Sequence, residues 1–255
     1  MAIKLYVVHG SHPCAAVQRA LEIKSLDHRL VEWPPAFHAV AQRLKFGART
    51  VPAVVLETGE KVSGSRAIMR RLEAIAPTPA LYPSDDTRHD VLRAEEWGDQ
   101  VWQPIARRLL WPAFALNPAA MASYQPGSKF PALPVPVLKA MAPVVTRVER
   151  RLNGADEGEV RADLRALGNH LDRIDDWVRE GVLGGESPNA ADLQIGATTR
   201  LMLTIGDVAA VIAGRPAGHH ALQLWPEWAG AVPAGTYPQR WRDDASAASR
   251  TSPRR

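Results

Sequence analysis

The sequence predicts an α/β domain followed by an all-helical domain. Over about the first 80 residues, short apolar runs alternate with amphipathic segments in the order βαβαββα, which is typical of one compact α/β unit. Three prolines then fall between residues 77 and 86, and beyond them the apolar spacing is helical. We therefore predict an α/β domain over 1–76, a linker over 77–86 and a helical domain over 87–240.

The elements of the α/β domain follow from apolar runs and from the residues that start or stop them. Pro13 suits the first turn of a helix, Gly47 ends the next helix, and Thr58-Gly59-Glu60 joins two strands as a hairpin-like turn. The predicted strands cover residues 4–8, 28–32, 51–56 and 61–62. The predicted helices run from Pro13 to about residue 24, over 36–45 and over 65–76.

The predicted helical domain has segments of helical spacing at 90–114, 138–153, 159–181 and 193–205. Pro104 interrupts the first segment, and a proline-rich connector over 125–136 precedes the second. The last segment is almost wholly apolar, which is typical of a core helix. Asn189 and Asp192 precede it as a variant capping box, in which each side chain satisfies a free amide of the first turn. For residues 241–255 we predict a disordered basic tail.

The charge of the chain does not indicate a nucleic-acid partner. The formal charge is +4, but five arginines and two aspartates after Gln239 place +3 of it at the C-terminal end, so the folded body is close to neutral. No segment resembles a signal peptide, and none has the roughly 18 apolar residues of a membrane-spanning helix. We expect a cytoplasmic protein with neither a membrane nor a nucleic-acid partner.

The Val51-Pro52 pair is the most informative feature of the α/β domain. A proline removes a backbone donor from a strand that otherwise has the pattern of a buried one. The proline fits there if the Val51–Pro52 bond is cis and the strand edge is left for the backbone of a ligand. We therefore predict that Val51 and Pro52 belong to a ligand-binding site.

Two helix starts offer further candidates for that site. Ser11 precedes the first helix and Gly64-Ser65 begins the third, and a helix N-terminus favours an anion such as a thiolate or a carboxylate. Each serine could instead be a simple cap. Cys14 lies in the first turn, where its pKa could be lowered, although a lone cysteine facing Ala and Val is more often a small core residue. His12 could assist proton transfer, but a loop histidine before proline is usually solvated.

The tryptophans of the helical domain are predicted to be mainly core residues between helices. Trp102 is our candidate for one wall of an apolar substrate site, next to His12. We predict no metal site, because His219-His220 has no third ligand at useful spacing.

The segments 11–21, 50–56, 64–68 and 184–196 together resemble the cytosolic glutathione S-transferase superfamily. The resemblance covers roughly residues 3 to 205 and implies a thioredoxin-like N-terminal domain before the helical domain. It places Ser11 at the catalytic position and Cys14 at the resolving position of a thioredoxin-type CxxC motif. It also implies glutathione or another low-molecular-weight thiol as co-substrate, a role in detoxification, and a homodimer through the third helix and the helix around Trp97.

Two departures from the family pattern concern the thiol. Members usually have Glu-Ser or Gln-Ser where this chain has Gly64-Ser65, so the acidic partner of the glutathione amino group is missing. The first helix also lacks the usual basic residue until Arg19. The leading hypothesis is transfer of a thiol to an apolar electrophile. The alternatives are a thiol-disulfide reductase that uses Cys14, and a non-catalytic module that binds ligands or docks partners.

Overall fold

A computed structural model of the chain describes residues 2–34 and 38–250. Its sheet has the strand order β2-β1-β3-β4, in which β1 and β2 are parallel while β1–β3 and β3–β4 are antiparallel. The strands are β1 (Ile3–Val7), β2 (His28–Glu32), β3 (Ala53–Val55) and β4 (Lys61–Ser63). The helices of this half are α1 (His12–Ile23), α2 (His38–Phe46) and α3 (Ser65–Ile75). Residues 36 and 37, predicted to begin the second helix, lie outside the described residues.

The second half of the chain is helical. A π-helical turn (Gly98–Trp102) joins α4 to α5 close to the predicted interruption at Pro104, and a 3-10 helix (Pro118–Tyr124) follows α5. None of the helices in the described part of the chain has the length and apolar content needed to span a bilayer. The α-helices are α4 (Arg88–Trp97), α5 (Gln103–Leu116), α6 (Val135–Leu152), α7 (Glu157–Arg179), α8 (Ala190–Met202), α9 (Gly206–Ile212), α10 (Pro216–Leu224) and α11 (Gln239–Arg250).

This architecture confirms the predicted fold class, an α/β thioredoxin-like domain followed by an all-helical domain. The prediction of a disordered tail is wrong for residues 241–250, which form most of α11. Trp241 and Ala245 are buried in the core of the helical half, and Arg161 of α7 donates to Asp244 at 2.6 Å. An apolar pair four residues apart therefore gives this polar segment a packed face. Residues 251–255 lie outside the described part of the chain.

Helix α8 runs through the centre of the molecule. Every residue of α8 except Arg200 is buried, and the helix packs against α1 on one side and against α4, α5 and α10 on the others. Ala190, Leu193 and Ala197 belong to the same apolar core as the sheet and α1. One helix therefore contributes to the cores of both halves.

The capping box predicted at the start of α8 is present. The Asn189 side chain accepts from the N–H groups of Ala191 and Asp192, and the Asp192 carboxylate accepts from the Asn189 N–H at 2.8 Å. Asp192 is fully buried and also accepts from the Gly184 N–H and from His220 Nε2, both at 2.7 Å. Three hydrogen bonds to the Asp192 carboxylate, from Gly184, Asn189 and His220, therefore converge at the N-terminus of this central helix.

Lys24 ties the linker to the α/β domain. Its buried ammonium lies 2.7 Å from Glu73 Oε2 and donates to the carbonyl oxygens of Ala76 and Pro79. Glu73 in turn accepts from the Leu81 N–H at 2.9 Å. These bonds join α1, α3 and the linker, so the linker is fixed against the α/β domain.

Replacement of Asp192 by alanine should lower the free energy of unfolding by at least about 2 kcal/mol, because two backbone donors lose a buried acceptor. Urea denaturation measures the loss. The matched control is Asp156→Ala, which removes a single exposed cap on the Glu159 N–H of α7 and should cost about 1 kcal/mol. Equal losses in the two variants would contradict the central role given to Asp192.

Candidate active site

Three separate segments meet at one edge of the sheet. In the strand register, Tyr6 pairs with Ala53, and Ala53 pairs with Ser63. The segment after β1, the segment before β3 and the segment after β4 therefore lie side by side, and we call this the site edge. These segments contain the predicted residues Ser11, Val51, Pro52, Gly64 and Ser65.

Ser11 is the N-cap residue of α1, but its hydroxyl does not cap the helix. Its backbone N–H donates to the Val8 carbonyl at 3.2 Å and its carbonyl accepts from the Ala15 N–H at 3.0 Å, whereas the side chain makes no capping hydrogen bond. The residue is half-buried, and its hydroxyl lies beside the Cys14 thiol. The hydroxyl therefore stands at a helix N-terminus without serving as its cap.

Cys14 lies in the core of the α/β domain and is only 4% exposed. Burial raises the pKa of its thiol to about 11, against smaller lowering effects from hydrogen bonds with Ser11 and the Val8 backbone. At pH 7 only about one thiol in ten thousand would be ionised. These properties belong to a small core residue rather than to the nucleophile that the sequence offered as one possibility.

The Val51–Pro52 peptide bond is cis in the structure. Within residues 2–34 and 38–250, the N–H and C=O of Val51 have no hydrogen-bond partner. Gln42 of α2 holds the preceding residue: its Nε2 donates to the Thr50 carbonyl at 3.0 Å, and its Oε1 accepts from Trp33 Nε1 at 3.0 Å. The segment before β3 thus combines a fixed position with an open backbone edge.

Gln42 is a site residue that sequence reasoning missed. It is fully buried, whereas Val40 and Leu44 on the same helix are 63% and 84% exposed. The apolar pattern of α2 therefore points to the opposite face from the one that packs. The only sequence feature that indicates a buried Gln42 is a glutamine within a short helix that also contains apolar residues, and this feature is weak.

At the start of α3 the available groups differ from those expected. The Gly64 N–H donates to the Pro52 carbonyl at 3.0 Å, so it is already used to join β3 to β4. Gly64 has a φ of +90°, and an added Cβ there would meet no atom within 4 Å. Ser65 is buried, and neither its N–H nor its hydroxyl has a partner in the described part of the chain. An anion at this helix start would therefore meet Ser65 rather than the Gly64 amide.

His12 is the first residue of α1 and is buried, not solvated as a loop histidine would be. Burial, and next the charge of Arg107 on α5, hold the pKa of His12 well below its ordinary value. Among the described residues its Nε2 has no hydrogen-bond partner. Arg107 itself donates to Gln103 Oε1 at 3.3 Å and to Asn153 Oδ1 at 3.1 Å. A neutral imidazole therefore stands where α1 approaches the helical half.

Trp102 is not at a pocket wall. It is completely buried, its Nε1 donates to Thr199 Oγ1 at 2.9 Å, and its ring stacks on Trp97 with centroids 5.7 Å apart. The helical spacing of the tryptophans reflects packing between helices, as predicted. Trp102 has no exposed surface in this structure, so it does not form the pocket wall for which it was a candidate.

The proline-rich connector contacts the sheet next to the site edge, which the sequence did not predict. His9 Nε2 lies 2.9 Å from the Pro126 carbonyl, and the Glu32 carboxylate accepts from the Ser128 hydroxyl at 2.5 Å and from the Lys129 N–H at 2.8 Å. Both contacts are at the carboxyl ends of parallel strands β1 and β2, the end from which Ser11 follows. The helical half therefore borders the site edge on the side of β1 and β2.

Two cavities in the described part of the chain lie away from the site edge. One of about 570 Å³ is lined by Arg147, Arg150 and Arg151 of α6, and one of about 190 Å³ lies beside Asp192 and His220. The candidate site is instead an open edge with unpaired backbone groups. Its assignment rests on hydrogen-bonding capacity rather than on a closed pocket.

Comparison with known proteins identifies a related domain. Residues 5–80 match the family model of the glutathione S-transferase N-terminal domain. A search of curated proteins by sequence gave no match.

Similar solved structures include a glutathione S-transferase from Rhodospirillum rubrum, with 19% identity and a TM-score of 0.56 over 95% of this chain and 99% of that one. Glutathione transferase F2 from Populus trichocarpa shows 17% identity and a TM-score of 0.58 over 96% and 98%. A beta-etherase from Sphingobium shows 19% identity and a TM-score of 0.59 over 88% and 99%.

Residues 5–80 therefore match a glutathione S-transferase N-terminal domain. The whole chain has the same two-domain fold as these solved structures. The resemblance stated from Ser11, Val51-Pro52 and Gly64-Ser65 is confirmed at this level.

The lowered pKa of His12 predicts a loss of stability in acid. As the pH falls below about 6.5, the unfolded chain binds a proton that the folded protein cannot bind at His12, so the free energy of unfolding should fall by up to about 1.4 kcal/mol per pH unit. In His12→Gln this slope should be smaller. Urea denaturation between about pH 7 and 5 measures it.

Other shifted groups, including His170, Asp99 and Glu149, are present in both proteins, so the difference between the two slopes isolates His12. His219→Gln, at an exposed histidine, is the control and should leave the slope unchanged. Identical slopes for the wild type and His12→Gln would show that His12 is protonated in the folded protein.

Proposed function

We propose that the protein transfers a low-molecular-weight thiol, glutathione or an analogue, to an apolar electrophile, as enzymes of the glutathione S-transferase type do. The observation that carries the proposal is the hydroxyl of Ser11, which stands at the start of α1 and does not cap it. A hydroxyl in that position can donate to a bound thiolate. The family match of residues 5–80 supports this use of the edge.

A charged hydrogen bond and a helix N-terminus together are strong enough to ionise a bound thiol at neutral pH. A free thiol is only about 3% ionised at pH 7, and lowering its pKa by about two units makes the thiolate the majority form. This shift requires roughly 2.7 kcal/mol of preferential stabilisation, while a charged hydrogen bond contributes about 1.5–3 kcal/mol and a helix N-terminus about 0.3–1 kcal/mol. The thiolate sulfur then bonds to the electrophilic carbon, and the leaving group departs with the electron pair of the broken bond.

The remaining contacts to the thiol follow from the unpaired groups at the site edge. In this proposal the backbone of the thiol pairs with the N–H and C=O of Val51, as an added strand would. Its carboxylate binds the N–H and hydroxyl of Ser65 at the start of α3. Pro52 shapes the edge, and Gly64 lets the chain turn into α3. His12, held neutral, lies on the side of the electrophile.

The thiol-disulfide reductase has less support. That reaction needs an accessible thiolate, and the Cys14 thiol is buried with its pKa raised to about 11. A non-catalytic binding module would use the same open edge without turnover, and the activity of the Ser11 variant below distinguishes it.

We also propose a homodimer through α3 and α4. Arg66 and Arg70 of α3 lie 3.6 Å from Glu95 of α4 in the same chain, so the two helices present one joint surface. Light scattering at micromolar concentration should give twice the chain mass. A species of 27.8 kDa would contradict the dimer.

Ser11→Ala should lower kcat/KM at pH 7 by about 25-fold, because the thiol falls back to its unaided ionisation. Above about pH 9 the thiol ionises without help, so the difference from the wild type should nearly vanish. Turnover of a chromogenic electrophile across this pH range measures both.

Ser65→Ala is the matched control: it removes a binding contact, so it should raise KM for the thiol without changing the pH profile. Full activity of Ser11→Ala at both pH values would assign thiol activation to another group.

Glutathione itself should bind weakly, with a Kd in the millimolar range or above. The missing acid at Gly64 removes a charged hydrogen bond to the ammonium, worth about 1.5–3 kcal/mol or roughly 10- to 150-fold in affinity. Gly64→Glu should tighten binding about tenfold in calorimetric titration. It should also cost about 1–3 kcal/mol of stability, since the φ of +90° strains any side chain.

Gly64→Ala carries the same strain without the carboxylate and should not improve binding. Micromolar binding by the unmodified protein would show that another acid already holds the ammonium.

A further inference from the structure

Helix α6 carries an exposed apolar stripe. Its members are apolar, lie on one face of the helix and are 40–69% exposed. They are Val137, Met141, Val144, Val148 and Leu152. Exposed apolar surface of this continuity on a folded protein marks an interaction site.

The stripe is separate from the face that α6 buries. Leu138, Ala142 and Thr146 are the buried residues of α6, which packs against α5 and the 3-10 helix. The stripe residues Val137 to Val148 follow one another at spacings of four, three and four residues, which is the alternation of a and d positions in a coiled coil. Helix α6 therefore has a second, narrow packing seam that no described element covers.

The flank of the stripe is basic. Arg147 and Arg151 are exposed, and each lies three residues after a stripe residue, so they border one edge of the seam. The one acidic residue of α6 is Glu149, which is half-buried and accepts from Asn153 Nδ2. The seam therefore offers apolar contact beside uncompensated positive charge.

These properties discriminate among occupants. A second copy packed antiparallel would bring its arginine flank against the first, because equivalent flanks face each other in an antiparallel helix pair. A bilayer surface favours a broad apolar face with aromatic residues, whereas the seam is narrow and α6 contains no aromatic residue. A helix with acidic residues beside its own apolar stripe would bury that stripe against the seam and pair its carboxylates with the arginines.

We propose that the α6 stripe docks an amphipathic helix of another protein, with acidic residues flanking the apolar positions of that helix. The stripe receives the apolar side chains, and Arg147 and Arg151 pair with the acids. This surface is separate from the site edge, so the docking adds an interaction to the chain whatever reaction it performs.

The test uses the full chain and two dye-labelled helical peptides of about three heptads, both with leucine at a and d, one with glutamate and the other with lysine at e and g. Fluorescence anisotropy should show binding of the glutamate peptide only. Val144→Glu should weaken it by more than about tenfold, while the matched control Leu222→Glu, at an exposed leucine of α10, should leave it unchanged. The double variant Arg147→Glu and Arg151→Glu should reverse the preference between the peptides.

Four outcomes would overturn the proposal. They are failure of both peptides to bind, binding of the glutamate peptide that Val144→Glu does not weaken, self-association of the chain that Val144→Glu abolishes, and sedimentation with phosphatidylserine vesicles that the same variant abolishes. Circular dichroism of each variant confirms that the helices are retained, so that lost binding is not lost folding.

Discussion

The buried carboxylate of Asp192 is the interaction on which the arrangement of the two halves depends. It satisfies two backbone amides and an imidazole, so the N-terminus of α8 can be enclosed in protein without leaving donors unpaired. Enclosure lets α8 pass between the halves and contribute apolar side chains to both cores. Because α8 packs along α1, and Ser11 is the N-cap residue of α1, a helix from the other half of the chain helps to position the candidate serine.

Burial also sets the electrostatics around Ser11. It raises the pKa of Cys14 and lowers that of His12, so both neighbours are neutral near pH 7. No thiolate of the protein then competes for the start of α1. An anion placed there would meet a hydroxyl and a helix N-terminus, and a hydrogen bond to a charged group is stronger than one between neutral groups.

Much of the fold follows from apolar periodicity, and the exceptions have physical causes. The first strand and the core helix after Asn189 were predicted because burial within a sheet, or on nearly all sides of a helix, leaves a clear apolar pattern in the sequence. The pattern misleads in α2, where Gln42 is buried and Leu44 is exposed, because the buried amide is held by hydrogen bonds that a hydrophobicity pattern does not record. It misleads again at the C-terminus, where buried Trp241 and Ala245 and the Arg161–Asp244 ion pair hold α11 against the helical half. At the site, positions with distinctive chemistry could be predicted. The contact with the connector could not, because it joins residues about 100 positions apart, such as Glu32 and Ser128.

The connector reaches from the helical half to Glu32 and His9. The domain that is recognisable in the sequence therefore does not contain all the residues that surround the candidate site. The recognisable domain ends near residue 80, yet residues 126–129 contact it at His9 and Glu32, beside the candidate edge. Joining this α/β domain to a different helical half would therefore give the candidate edge new neighbours even with Ser11 and Val51 unchanged. An exchange of halves, or a change in the length of one surface loop, can alter the surroundings of Ser11 without a substitution in the α/β domain.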